Sequence, residues 1–229
     1  MKHFVWAWMS VMVLGGAGCR TVAPAQVAVP MDESRTFAAG VTSSASASLF
    51  APVAVNTNDV ISSPIVGIVG PYVTVRALPP GEPLAAEVTA TAGVGVENLG
   101  AFGPGGSVGV RFWSGAREPG VRLGLEGKAG VAVDLGHIAQ TRDFIWFQPE
   151  LRGLISYRFT DSFAIGARPG VQVQRLITSS PRDVTFLVFD LPVGALWAFD
   201  NVNFGLEAAI SVAGFTPSAR FGAQLETAW

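Results

Sequence analysis

The sequence predicts an all-β fold: an antiparallel, up-and-down transmembrane β-barrel of about ten strands, with eight as the alternative. Three observations carry this. The last eleven residues, Ala219 to Trp229, put Phe221, Ala223, Leu225, Thr227 and Trp229 on one parity, with Arg220, Gly222, Gln224, Glu226 and Ala228 on the other. A strand sends alternate side chains to opposite faces, so this segment has one face for lipid and one for a polar lumen. Mean hydropathy is +0.42 and 14% of the 229 residues are charged, against about 25% in ordinary soluble domains. Yet beyond the N-terminus no stretch approaches the roughly 20 apolar residues of a membrane helix. In lipid that leaves the closed barrel, because only helices and closed barrels satisfy every backbone group there.

The third observation is where the charges fall. In the expected strands the acids are Glu87, Glu97, Glu126, Asp134, Glu150, Asp190, Glu207 and Glu226. The bases are Arg76, Arg111, Arg122, Lys128, Arg152, Arg158, Arg168 and Arg220. All sixteen sit on the polar parity, opposite ladders such as Val121, Leu123, Leu125, Ala129, Val131 and Val133. A charge on a lipid-facing site costs about 2–4 kcal/mol at mid-bilayer, so an apolar parity free of charge is what a barrel requires. Arg175 is the exception, at a strand end where it can reach the interface. A soluble β-sandwich shows the same alternation with its charge-free face inward, but it does not readily end on an exposed Trp.

In chain order, residues 1–18 read as a processing segment: Lys2 supplies charge, Phe4 to Leu14 an apolar core, and Gly15 to Gly18 a small run before Cys19. Cys19 is the only cysteine, so it has no internal disulfide partner. Residues 19–35 show no period and read as a periplasmic linker. Strands follow near 37–49, 71–77, 86–97, 107–113, 120–134, 143–159, 163–176, 183–198, 202–214 and 219–229. Pro149, Pro169 and Pro192 lie inside them and each removes a ladder donor, so bulges are expected there.

The connections Phe159–Ser162 and Phe199–Asn201 are very short, whereas 98–106, 135–142 and 177–182 are longer. Barrels with short periplasmic turns and longer external loops alternate in this way, which brings the C-terminal strand to a close on the periplasmic side. The turn Leu78–Pro83 falls on that side too. Tyr157, Phe159, Phe163, Trp197, Phe199 and Trp229 fall near the same edge, as an interfacial aromatic belt does.

Little in the chain carries reaction chemistry. His137 lies in a loop near Asp134, with Ser179 and Ser180 in another, but no spacing sets up a nucleophile, base and orienting acid. One cysteine and one histidine beyond the leader give no transition-metal site, and no cofactor is expected. Gly93–Gly95 and Gly103–Gly106 are strand and turn glycines, since no helix follows them. The formal charge of −2 and the lack of a basic run argue against a nucleic-acid partner.

The eight acids and eight bases cancel, which points to paired charges in a lumen that side chains fill. Glycines at 93, 95, 109, 124, 130, 166, 170, 205 and 222 share that face and are expected to leave room for the long Arg and Glu side chains.

The leader ending at Cys19, the alternating strands over 36–229 and the ladder ending in Trp229 together resemble small bacterial outer-membrane β-barrel proteins with a lipoprotein-type signal. The resemblance implies acylation of Cys19, though that family prefers Leu where Gly16 stands, and cleavage after Ala25, with Ala23 as the other small residue, is the alternative. It also implies an outer-membrane location, lipid contact and handling by the barrel-assembly machinery, which recognises terminal ladders of this kind. The expected protein is a monomeric, non-enzymatic barrel with a structural or surface-interaction role. A narrow channel for small solutes is the alternative, and an outer-membrane hydrolase centred on His137 the third reading.

Overall fold

The computed structural model describes residues 25–32, 34–48, 55–56, 59–60, 66–78, 84–97, 100–114, 120–134, 144–178, 184–213 and 216–229. The strands are β1 (Phe37–Ser48), β2 (Val55–Asn56), β3 (Asp59–Val60), β4 (Val66–Arg76), β5 (Leu84–Glu97), β6 (Gly100–Ser114) and β7 (Val121–Asp134). They continue as β8 (Phe144–Thr160), β9 (Phe163–Ala167), β10 (Gly170–Thr178), β11 (Val184–Phe199), β12 (Val202–Ala213) and β13 (Thr216–Ala228). β2 and β3 pair only with each other, in the connection between β1 and β4.

All other pairings are antiparallel between chain neighbours, and β13 returns to β1 from Ala38↔Ala228 to Ser48↔Ser218. β9 and β10 are one stave in two pieces, since both pair with β8 on one side and β11 on the other. Counted this way, ten staves close the barrel among the described residues. The ten-strand expectation holds.

The interruption comes from Pro169, which has no N–H to give. The carbonyl of Pro169 still accepts from Gly153 N at 2.9 Å, and Arg168 N donates to Pro192 O at 2.8 Å, so the stave keeps its place. Pro149 leaves a gap in the ladder instead: the β8–β10 pairing passes from Gln172↔Glu150 to Arg175↔Phe147. Pro192 sits opposite Ala209 with no shift. The bulges expected at Pro149 and Pro192 are therefore absent, and register shifts occur at Gly95/Val96 and Arg158/Thr160. Parity holds across all three prolines.

Two boundaries also differ from the sequence reading. β6 begins at Gly100, so the connection expected over 98–106 is only residues 98–99, and β4 begins five residues before Pro71. The glycines of 103–106 are strand residues paired with β5. Short connections therefore occur at both ends of the barrel, and loop length separates its two mouths less sharply than expected. We call the mouth where Phe37 and Trp229 lie the terminal mouth and its opposite the far mouth.

The distribution of side chains is inverted relative to a water-soluble protein. Leu123, Leu125, Leu151, Phe189, Ile210 and Phe221 face outward with more than half their surface exposed, while Glu126, Arg152, Arg168 and Arg220 are fully enclosed. A single closed ladder leaves no second sheet for the outer apolar face to pack on, so the sandwich alternative fails.

The linker expected over 19–35 needs correction where it is described. Residues 25–30 are buried inside the barrel. The physical reason is an apolar patch on the otherwise polar lumen wall: Trp113 and Leu154 pack on Ala28, and Ala164 and Leu196 pack on Val27 and Val29. Without a cover these side chains would face water. The segment is short, small and apolar enough to supply one.

Candidate functional site

The bore is the candidate site, and three layers fill it. The first is the strap of residues 25–32. Its deepest point is Ala25, whose carbonyl accepts from Thr42 Oγ1 at 2.5 Å in mid-β1. Val27 N donates to Gln224 Oε1 at 2.8 Å, and Met31 N donates to Glu87 Oε1 at 2.7 Å. Near the terminal mouth Arg76 Nη2 donates to the carbonyls of Met31 and Asp32 at 2.9 and 2.7 Å. Arg111 Nη2 reaches Gln26 Oε1 at 3.0 Å, and Asp32 lies 3.6 Å from Arg158 Nη1.

The second layer is a floor of glycine. Positions 166, 194, 205 and 222 come from β9, β11, β12 and β13, and a Cβ at each would run into the strap. At Gly205 and Gly194 it would sit 2.9 and 3.0 Å from Val27 Cγ2; at Gly166 it would meet the Ala28 carbonyl, and at Gly222 the Ala25 methyl. Three of these, Gly166, Gly205 and Gly222, belong with six other lumen glycines to the set expected from sequence to make room for the long ionic side chains. That holds at Gly109, which lies against Lys128, and at Gly170, which lies against Arg152. It does not hold at 166 and 222, whose space the strap takes, or at 205, whose space Gln224 and Val27 share.

The third layer is ionic. Arg111 Nε meets Glu126 Oε1 at 2.8 Å, and Arg168 lies 3.4 Å from Glu126 and 2.5 Å from Glu207. Arg220 meets Glu207 at 3.1 Å and Asp190 at 3.3 Å; Arg152 meets Asp190 and Glu150 at 2.8 Å each. Four guanidiniums and four carboxylates thus alternate in one line from Arg111 on β6, through Arg220 on β13, to Glu150 on β8, and they sum to zero charge. Every member is almost fully buried, where an unpaired ion is expensive and an alternating line compensates each one.

Of the other charges expected in the lumen, Glu87 and Lys128 are buried, and Arg76, Arg122, Arg158 and Glu226 are half-buried. Glu226 accepts from Tyr72 Oη at 2.5 Å and Asn203 Nδ2 at 2.8 Å. Glu97 and Asp134 end β5 and β7, and their side chains fall outside the described residues. Cys19, His137, Ser179 and Ser180 fall outside them altogether. Among the described residues no group of three His, Cys, Asp or Glu side chains is placed to hold a metal ion. Arg175 points to the outer face.

At the terminal mouth the strap leaves a cavity of about 360 Å³, bounded by Tyr72, Asn203, Leu196 and Glu226 on the wall and by Val29 to Asp32 on the strap. Outside that mouth Tyr157, Phe159, Phe163, Trp197 and Phe204 form a run of ring contacts 4.6–6.0 Å apart across β8, β9, β11 and β12. Trp229 stacks on Phe37 at 5.5 Å. Phe204 and Phe37 join the set named from sequence, and Phe199 lies exposed at the same edge.

Asp32 anchors the strap's outer turn. The Ser34 backbone N–H holds its carboxyl below the usual 3.8, with the Ser34 hydroxyl and Arg158 adding to the effect against partial desolvation. A depressed native value means the turn's stabilisation is complete above about pH 4 and is lost as pH falls through that lower value. The Ser34 amide resonance should therefore titrate with a midpoint below 3.8, and Asp32→Asn should abolish the titration. A midpoint at or above the free-peptide value would show that the turn is open in solution.

Solved structures share this architecture. The barrel is similar to Neisserial surface protein A, at 9% identity over 84% of this chain and 97% of that one, with a TM-score of 0.40. The attachment invasion locus protein Ail of Yersinia pestis is similar at 7% identity over 85% and 99%, with a TM-score of 0.43. The outer membrane protease OmpT of Escherichia coli is similar at 11% identity over 85% and 97%, with a TM-score of 0.42. No protein-family model and no curated protein matches the chain. At such identities the likeness is one of fold alone.

Proposed function

We propose that the chain is an integral bacterial outer-membrane barrel protein with a closed bore, acting through its mouths and outer surface and catalysing no reaction. The inverted side-chain distribution carries this reading. An apolar outer wall such as that formed by Leu123, Leu151, Phe189 and Ile210 needs lipid to cover it. Closure rests on the strap together with the ionic line behind it. Folding by the barrel-assembly machinery and a monomeric state complete the proposal, and no nucleic acid enters it.

The full chain, refolded into lipid, should migrate faster on a gel before heating than after, as a closed barrel does. In a planar bilayer it should carry no steady current. Discrete open steps from the full chain would overturn the closed bore and favour a narrow solute channel. One observation supports that second reading: Ser44, Ser46, Thr91 and Gly109 give the lumen wall of β1, β5 and β6 small side chains.

Acylation at Cys19 belongs to the same proposal. Ala25 is 1% exposed and hydrogen-bonded to Thr42, so it is built into the barrel, which favours processing upstream of it. Labelled palmitate should enter the protein in cells and be lost in Cys19→Ser. A mature chain beginning at Gln26 would refute acylation.

A further inference from the structure

We propose that the glycine-floored groove in the bore is a peptide-binding site, and that residues 25–32 are its tethered, exchangeable occupant. Its ligand class is an extended peptide with small or β-branched side chains.

The barrel does not need the strap in order to close. Among the described residues the strap makes no ladder pair with any stave, and β1 and β13 complete the circle without it. Its one backbone bond to backbone within residues 25–32 is internal, from Val29 N to Val27 O at 2.9 Å. A segment held outside the ladder opens without unzipping it.

The wall recognises the strap largely as a generic backbone. Gln224 and Glu87 accept from strap amides, and Thr42 and Arg76 donate to strap carbonyls. Space selects side chains, since the glycines of β9, β11, β12 and β13 lie directly against Ala25, Val27 and Ala28. Generic backbone bonds for affinity with small pockets for selection are how proteins read extended peptides. The cavity of about 360 Å³ beside the strap opens at the terminal mouth and gives a second chain its way in.

The test uses the full chain, refolded in detergent, with a specific protease site inserted between Ser34 and Arg35. After cutting, the strap is held by the groove alone. A fluorescent synthetic peptide of residues 25–34 should replace it, with saturable anisotropy. Affinity should fall at least tenfold when the barrel carries Gly205→Val, or when the peptide carries Val27→Arg. The peptide variant keeps the test sound if the barrel variant does not fold.

Exchange with an unchanged heat-dependent gel shift would support the site. Three results would overturn it: a cut strap that stays bound for days without exchange, a barrel that unfolds on cutting, or a Val27→Arg peptide that binds as well as the native one.

Discussion

Arg168→Met should destabilise the barrel by about 3–5 kcal/mol, the usual cost of removing one partner from a buried ion pair. Arg168 sits inside the ionic line, between Glu126 at 3.4 Å and Glu207 at 2.5 Å. Without it the line carries a net charge of −1 in a bore where each carboxylate is only 1–2% exposed. Arg168 also spans a weak point. It precedes Pro169, where the stave splits into β9 and β10, and its side chain ties that break to β7 and β12 across the bore.

Urea unfolding in phospholipid vesicles, followed by tryptophan fluorescence, measures the loss. Arg168→Met combined with Glu207→Met restores neutrality, so the double variant should cost less than the sum of the singles, by roughly 0.5–3 kcal/mol. A single-variant cost under about 1 kcal/mol would show the line to be hydrated and screened, as surface pairs are, and the bore to be wet.

The barrel was legible in the sequence because the rule behind it is local. Alternation fixes which face each residue takes, and lipid forbids charge on one of them, so Glu126, Arg152 and Arg220 reveal the lumen without any knowledge of which strands pair. The partners of each charge were not legible. Arg168 meets Glu207 from 39 residues away, across the bore rather than along a strand. Pro149 and Pro192 misled because a missing N–H can be absorbed as one absent ladder bond.

The strap was missed, although its signal is present. Trp113, Leu154, Ala164 and Leu196 stand on the polar parity of their strands, where apolar side chains need a cover. Four glycines on the same parity of neighbouring strands mark the space that cover occupies. Neither cue is visible strand by strand. Both require the register, which sets Gly166 opposite Gly194, puts Gly222 on the same row across Glu207, and leaves Gly205 two residues from that row.

Leu151→Arg tests the membrane setting directly. Leu151 is at the middle of β8, the longest stave, opposite Gly127, with 63% of its surface facing outward. In lipid an arginine there should cost about 2–4 kcal/mol, and the cost should fall toward about 0–1 kcal/mol at the interface. Val121→Arg supplies the shallow comparison, since Val121 is equally exposed at 61% but opens β7 at the terminal mouth, opposite Tyr157 of the aromatic edge. In water the two substitutions would be alike, because exposed surface changes normally stay within about ±0.5 kcal/mol. The difference between the two variants is therefore the decisive quantity. It cancels the loss of helpful packing and strand propensity common to both, and it has one source, the depth of each site in a hydrocarbon layer. Equal and small costs in vesicles would place the outer wall in water and remove the membrane from the account. A cost at Leu151 several times that at Val121 sets the apolar band across the waist of the barrel, with the aromatic edge of Tyr157, Phe163 and Trp197 at one of its borders.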